Sequence, residues 1–573
     1  MKRLSVCFMI ALTFVLLFGP TSRETGRTDH LALLDSLDAD RTWSSVNSLV
    51  ADRFEGRLSG TQPAELASQH IADHFDSIGL KPAGENGTYS ARFSVPLWQL
   101  TQMPKLESVD AGGNVLQTFA YRKDFAVRPG SGSAEFSTEV VFVGYGITAL
   151  DFGYDDYANV VSQGRVVLAI VGTPPSERFR QSSYGAWNSK ADNALRHGAI
   201  GLILIDNPVE PIPFYVERST GGQTFYQKLV VLWGTIKMAD TVLGEHDPSL
   251  SSIQRLMNQD LKPQSFVLSK MLRVSVHASF TENANGYNVL GFIPGSDPFS
   301  KKVVIIGAHY DHLGKDVDGS IFRGANDDAS GVAVMMEIAR VLSTASRPKC
   351  SALFAAWSGE EEGTRGSYAY TYRPFFPLSE TIAYLNLDMV GYGQQLVCQI
   401  SEAHKTLRTT LDESAVQLGV SISVEKFSGG SDHVSFEGNK VANLMFIRWP
   451  DEFYHTPRDM ADRIPRKNLL ETARLTALIA LRLIEVEATV ETVTTTVRVT
   501  SSSRTGIVTS DQLLTDAFSI NVLAIASVVS IAIVAAGVFC TRRRSIFIDA
   551  WSQHRDVWCA FDDQLKSVAF LIT

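Results

Sequence analysis

Val303-Val-Ile-Ile-Gly-Ala-His309-Tyr-Asp311 is an apolar run that stops at a histidine and a carboxylate. A run of this length with no polar alternation reads as a strand buried on both faces, as in parallel sheets sandwiched between helices. The design recurs down the chain. Ala352 to Trp357 runs into Ser358-Gly-Glu-Glu-Glu-Gly363, Ile382 to Leu387 ends within Asn386-Leu-Asp-Met-Val390, and Val441 to Ile447 precedes Tyr454-His-Thr456. Tyr287 to Ile293 reads as a further strand, and Gly324-Ala-Asn-Asp-Asp328 as the loop before the next helix. Helical patterns cover Ser330 to Ser343, Glu402 to Leu418 and Arg466 to Glu485. This alternation predicts an α/β fold: a mixed, mostly parallel sheet with helices on both faces. In such sheets the strand ends converge on one rim, where ligand sites form. Two histidines and several carboxylates gathered there make a hard-to-borderline metal site, and their number points to two ions.

The chain has 573 residues, enough for several domains, and a formal charge of −9 with no basic block in its main body. Nucleic acid is not an expected partner. Residues 1–22 have the layout of a signal peptide: Lys2-Arg3, an apolar stretch from Leu4 to Phe18, then polar sequence. They lack a clear small-x-small cleavage site, which leaves an uncleaved anchor open. The uncharged segment 517–540 is long enough for a transmembrane helix, and Arg542-Arg543-Arg544 behind it place the following end inside the cell. The expectation is a single-pass protein at the cell surface or otherwise outside the cytoplasm. The body of the chain lies outside, residues 488–516 form a Thr/Ser-rich linker, and 541–573 form a cytoplasmic tail. Of five cysteines only Cys350 and Cys398 would face the oxidising side, so at most one disulfide is available there.

Between the ends, residues 30–116 read as a helical lead-in, with Arg41 to Leu80 helical throughout, and 117–269 as an inserted β-rich domain. Within the insert, Val140 to Gly144, Arg165 to Val171 and Gly201 to Ile205 read as strands and Lys190 to His197 as a helix. Residues 270–487 carry all the metal-ligand motifs.

In order, those motifs are His-x-Asp, Asn-Asp-Asp, a Glu triplet, Leu-Asp-Met, Ser431-Asp-His-Val-Ser-Phe436 and Tyr-His-Thr. Each is weak alone. Together they resemble the co-catalytic dizinc exopeptidases, the family of bacterial leucyl aminopeptidases, glutamate carboxypeptidases and glutaminyl cyclases. The resemblance covers about Tyr287 to Ala488 and implies a phosphorylase/hydrolase-like zinc peptidase fold. Gly144-Tyr-Gly with Gly153-Tyr-Asp-Asp-Tyr157 is similar to the protease-associated insert of that family, and Phe54-Glu-Gly-Arg-Leu-Ser-Gly60 to its lead-in.

The resemblance implies two zinc ions per chain. His309 and Asp388 would bind the first, Glu361 and His455 the second, and Asp327 would bridge them. Asp311 would hold the His309 ring from behind. Glu360, left unligated, would be the general base toward a zinc-activated water. The family's Glu-Glu-x-Gly pattern, with Gly363 and Gly366-Ser367, makes Glu360 and Glu361 the functional pair and leaves Glu362 outside it. Asp432 and His433 resemble residues lining the substrate pocket. His312 reads as a loop residue or a support behind the ligands, Asp328 as a shaper of the bridging loop, and Tyr454 as packing. The implied activity is an aminopeptidase acting on extracellular peptides. A carboxypeptidase or glutaminyl cyclase on the same scaffold is the alternative, and a receptor-like module with a decayed site is a third reading. No Gly-x-Ser-x-Gly elbow or phosphate-binding loop supports a serine hydrolase or a nucleotidase.

Overall fold

The computed structural model describes residues 30–208, 224–244, 249–297, 300–427 and 430–485. Nine strands make the main sheet: β1 (Lys81–Pro82), β2 (Ser90–Leu100), β3 (Ala278–Ile293), β4 (Val303–His309), β5 (Ser351–Trp357), β6 (Thr381–Leu387), β7 (Gln395–Ile400), β8 (Ile422–Glu425) and β9 (Asn443–Trp449). Their order is β1-β3-β5-β4-β6-β9-β7-β8, with β2 also paired to β3. The central strands β5, β4, β6 and β9 are mutually parallel, whereas β3 against β5 and β7 against β9 are antiparallel. The sheet is thus mixed, with a parallel middle and a further parallel pair, β7 and β8, at one edge.

Every residue of β4 and β5 is buried, which is why these strands carry apolar side chains at consecutive positions. Val304, Ile306 and Ala308 face one core, shared with helices α1 (Ala39–Leu49), α2 (Gln62–Ser77), α3 (Ser330–Ser343), α5 (Lys405–Leu418) and α6 (Arg466–Glu485). Val303 and Ile305 face the other, with Tyr370 of α4 (Arg365–Tyr372), Tyr384 and Phe436.

The lead-in is not helical throughout. Glu55, Gly56 and Arg57 take left-handed backbone angles (φ 41°, 73° and 56°), so the chain turns sharply between α1 and α2. A second sheet of eight strands draws on segments from Lys105–Val109 to Ser265–Val276, with Ala134–Val143, Val166–Ile170, Gly201–Ile205 and Val230–Gly234 among them. It meets the main body where Tyr121 donates to Asp316 at 2.7 Å and Arg122 pairs with the same carboxylate at 3.2 Å.

Among the described residues no helix is long and apolar enough to cross a membrane. This overturns the single-pass, cell-surface placement expected from the sequence. The longest described helix, α6, reaches 20 residues but carries Arg466, Lys467, Glu471, Arg474, Arg482 and Glu485 along its length, and a bilayer core does not accept such charges. The segments on which that expectation rested, 1–22 and 517–573, lie outside the described residues, as does the linker 488–516. Cys350 and Cys398 are both buried and free.

Candidate metal centre

The carboxyl ends of β4, β5, β6 and β9 deliver the site. His309 is the last residue of β4, and Asp388 follows β6 directly. Glu360 and Glu361 lie in the loop after β5. Asp327 comes from the turn ahead of α3, and His455 from the loop after β9, where its backbone is left-handed (φ 59°). All of them except Glu360 are less than a tenth exposed.

His309 Nε2 lies 3.2 Å from Asp327 Oδ1 and 3.6 Å from Asp388 Oδ1. On the other side of Asp327, Oδ2 lies 3.0 Å from His455 Nε2, which is 3.2 Å from Glu361 Oε2. Ligand atoms around a tetrahedral zinc stand about 3.3 Å apart, given bonds of about 2 Å. Two groups of potential ligands therefore meet at one shared aspartate: His309, Asp327 and Asp388, and His312, Asp327 and Glu361 beside His455. The donor set fits a metal. Glu361 Oε1 and both ring nitrogens of His312 are buried without a hydrogen-bond partner, although His312 Nδ1 stands 2.8 Å from Glu361 Oε1.

Electrostatics points the same way. Burial alone would neutralise Glu361 and His455. Facing His455, and aided by His312 against the repulsion of Asp327, the Glu361 carboxylate is instead drawn down to about 2, while Glu361 and Asp327 lift the His455 imidazolium to about 10. The carboxylates of Asp327, Glu361 and Asp388 are buried together there, a charge that a bound cation would balance. Glu360 differs: burial, aided by Glu361, Asp388 and Asp432 and opposed by His309, lifts it well above the ordinary carboxylate range.

Asp311 braces two strand ends. Its carboxylate accepts from the amides of Glu360 and Glu361, each at 3.3 Å, while His309 Nδ1 lies nearer the Asp311 carbonyl oxygen (3.2 Å) than the carboxylate (3.7 Å). Asp328 Oδ1 accepts from the amides of Gly331 and Met389, tying the bridging turn to α3 and to the loop after β6. Asp432 and His433 are buried close by, but neither lines the cavity at the site, and the His433 ring stacks on Phe427 at 4.4 Å. Tyr454 stacks on the His455 ring at 3.7 Å and also lines that cavity.

Sequence reasoning missed Asp459 and Asn326. Asp459 accepts from the amides of Asn326 and Asp327 at 2.8 and 3.1 Å and so holds the bridging turn from below. Asn326 Oδ1 accepts from Gly391 and Tyr392, and its amide group donates to Asp451. The available signal for Asp459 was an acid four residues beyond His455. His312 was noticed, but its closeness to Glu361 is a matter of distance that a single sequence does not state.

A mixed α/β sheet that holds two histidine–carboxylate groups around one aspartate at its parallel rim defines a metallohydrolase. Residues 288–480 match the model of Peptidase family M28, so this segment is similar to that family of metallopeptidases. The chain is 28% identical to aminopeptidase YwaD of Bacillus subtilis over 502 residues, 83% of this chain and 92% of the relative. Leupeptin-inactivating enzyme 1 of Streptomyces exfoliatus is 32% identical over a shorter stretch, 28% of this chain and 35% of the relative. In fold the chain is similar to the aminopeptidase from Aneurinibacillus sp. strain AM-1, with a TM-score of 0.59, 22% identity, and 79% of this chain and 95% of that one covered.

Proposed function

We propose that this chain is a metal-dependent aminopeptidase that removes N-terminal residues from peptides, with two zinc ions as cofactor and Glu360 as general base. The observation that carries the reading is the sharing of Asp327 between two ligand groups, beside a cavity of about 440 Å³ into which Glu360 opens. His309 and Asp388 would hold the first ion, Glu361 and His455 the second, and Asp327 would contribute to both. His312 Nδ1 stands 2.8 Å from Glu361 Oε1, and Oε2 lies on the side of His455. The long-coverage relative is named an aminopeptidase.

Two zinc ions in such a site lower the pKa of water and polarise a carbonyl. Glu360 takes the proton of the attacking water and passes it to the departing amine, a task suited to a carboxyl whose proton affinity burial has raised. Val397, Met445, Ile447 and Trp449 give the cavity an apolar wall for the side chain of the residue to be released. On this reading the second sheet corresponds to a protease-associated insert, and its strands from Lys105–Val109 to Ser265–Val276 extend past the expected bounds 117–269 into the ends of the lead-in (30–116) and the catalytic part (270–487). It carries none of the proposed ligands.

The test pairs metal analysis of the purified protein with hydrolysis of aminoacyl-anilides and of dipeptides with free or acetylated N-termini. Two equivalents of zinc and cleavage of the free forms alone are expected. Cleavage that instead requires a free C-terminus and ignores acetylation rules the reading out.

A further inference from the structure

Arg57 is wholly buried, in the turn between α1 and α2. That turn is pressed onto the hairpin 314–322: a Cβ on Gly56 would stand 2.2 Å from the Phe322 carbonyl oxygen and 2.6 Å from that of Gly314. The hairpin is the chain between His312 and Gly324, so its two ends lead into the two metal-facing loops.

The guanidinium spans both loops. Nε donates to the Tyr310 carbonyl at 2.5 Å, Nη1 to Leu49 at 2.9 Å and Arg323 at 2.7 Å, and Nη2 to Gly324 at 2.8 Å. Tyr310 lies between His309 and Asp311, and Gly324 lies three residues before Asp327. Four of the five N–H groups of the fork are thus spent on backbone carbonyls. A lysine, with three donors on one atom, does not reproduce that geometry. Burying a cation is costly unless its surroundings repay it. Here desolvation draws the guanidinium down to about 10, and the charges of Asp459, Asp311, Asp327 and Asp328 offset part of that cost.

We propose that Arg57 is a positioning residue for the metal centre, presetting the spacing of the His309–His312 and Asp327 loops before ions bind. The proposal rests on the metal-centre reading above. Zinc dissociation constants are measured for the full-length unaltered protein and for Arg57→Lys by competition with a chelator, with Arg53→Ala, stacked on Phe54 in the same turn, as control. Arg57→Lys is expected to weaken zinc binding at least tenfold, to lower kcat with little change in KM, and to leave the metal-free form folded. Unchanged dissociation constants, or melting temperatures that fall equally with and without zinc, overturn the proposal.

If the lysine variant does not fold, amide hydrogen exchange in the unaltered protein decides. Slow exchange at 310–314 and 323–329 without zinc supports presetting, and fast exchange there overturns it. Failure of the unaltered protein to bind zinc overturns the metal reading and this proposal together. Zinc binding by both forms with equal affinity overturns this proposal alone.

Discussion

Glu360, Glu361 and Glu362 are consecutive, yet they serve three environments. Glu360 lines the cavity, Glu361 faces His312 and His455, and Glu362 borders a small cavity of about 70 Å³ shared with Trp98 and Phe322. Replacing Glu360 by glutamine keeps the shape but removes the carboxylate proposed as base. Turnover is expected to fall by about 10²–10⁴-fold with bound zinc unchanged, read by steady-state kinetics and metal analysis on the same sample. Asp459→Ala strips the amides of Asn326 and Asp327 of their acceptor. The expected loss is about 2–4 kcal/mol in urea unfolding, because two buried donors are left unpaired, and zinc binding should weaken with it.

Among the elements, α6 supports the sheet through an almost continuous buried face, in which the Thr476 hydroxyl is buried without a hydrogen-bond partner. Thr476→Val is therefore expected to raise stability by about 1 kcal/mol, since a desolvated hydroxyl is exchanged for a methyl of similar size. A drop in the urea midpoint would show that the hydroxyl is satisfied in solution. The turn before α2 behaves oppositely. Gly56→Ala combines a left-handed backbone with contacts of 2.2 and 2.6 Å to carbonyl oxygens, and a loss of about 3 kcal/mol is expected from strain plus displacement of the hairpin.

At the scale of the molecule, the proposed metal centre draws its ligands from four strand ends and the turn ahead of α3, which share little local sequence. Chelation should therefore destabilise the whole main body. A ligand at a thousand times its dissociation constant contributes about 4 kcal/mol per site, and the melting temperature should fall on chelation and recover with added zinc. The second sheet reaches the centre through Tyr121 and Arg122 on Asp316, in the hairpin between His312 and Gly324. Asp316→Ala is expected to speed amide exchange across 314–322 without unfolding β4. Unaltered exchange there would mean that packing alone seats the hairpin.

Much of the fold was legible along the chain, because each central element announces itself locally. Val303 to Ala308 has no polar side chain since both faces are covered, and Ser330 to Ser343 and Arg466 to Glu485 have the bounds their periodicity suggests. The lead-in was misread as helical throughout. The Phe54-Glu-Gly-Arg57 turn depends on hairpin carbonyls some 260 residues away, and helical periodicity carries no trace of them. The sequence alone determined the α/β class and the ligand types at the strand ends, through burial pattern and motif order. Only the tertiary structure decided which carboxylate faces which histidine, where Asp459 and Arg57 act, and that Asp432 and His433 stand back from the cavity. Those are facts of distance between segments, and distance is set by packing rather than by any local run of residues.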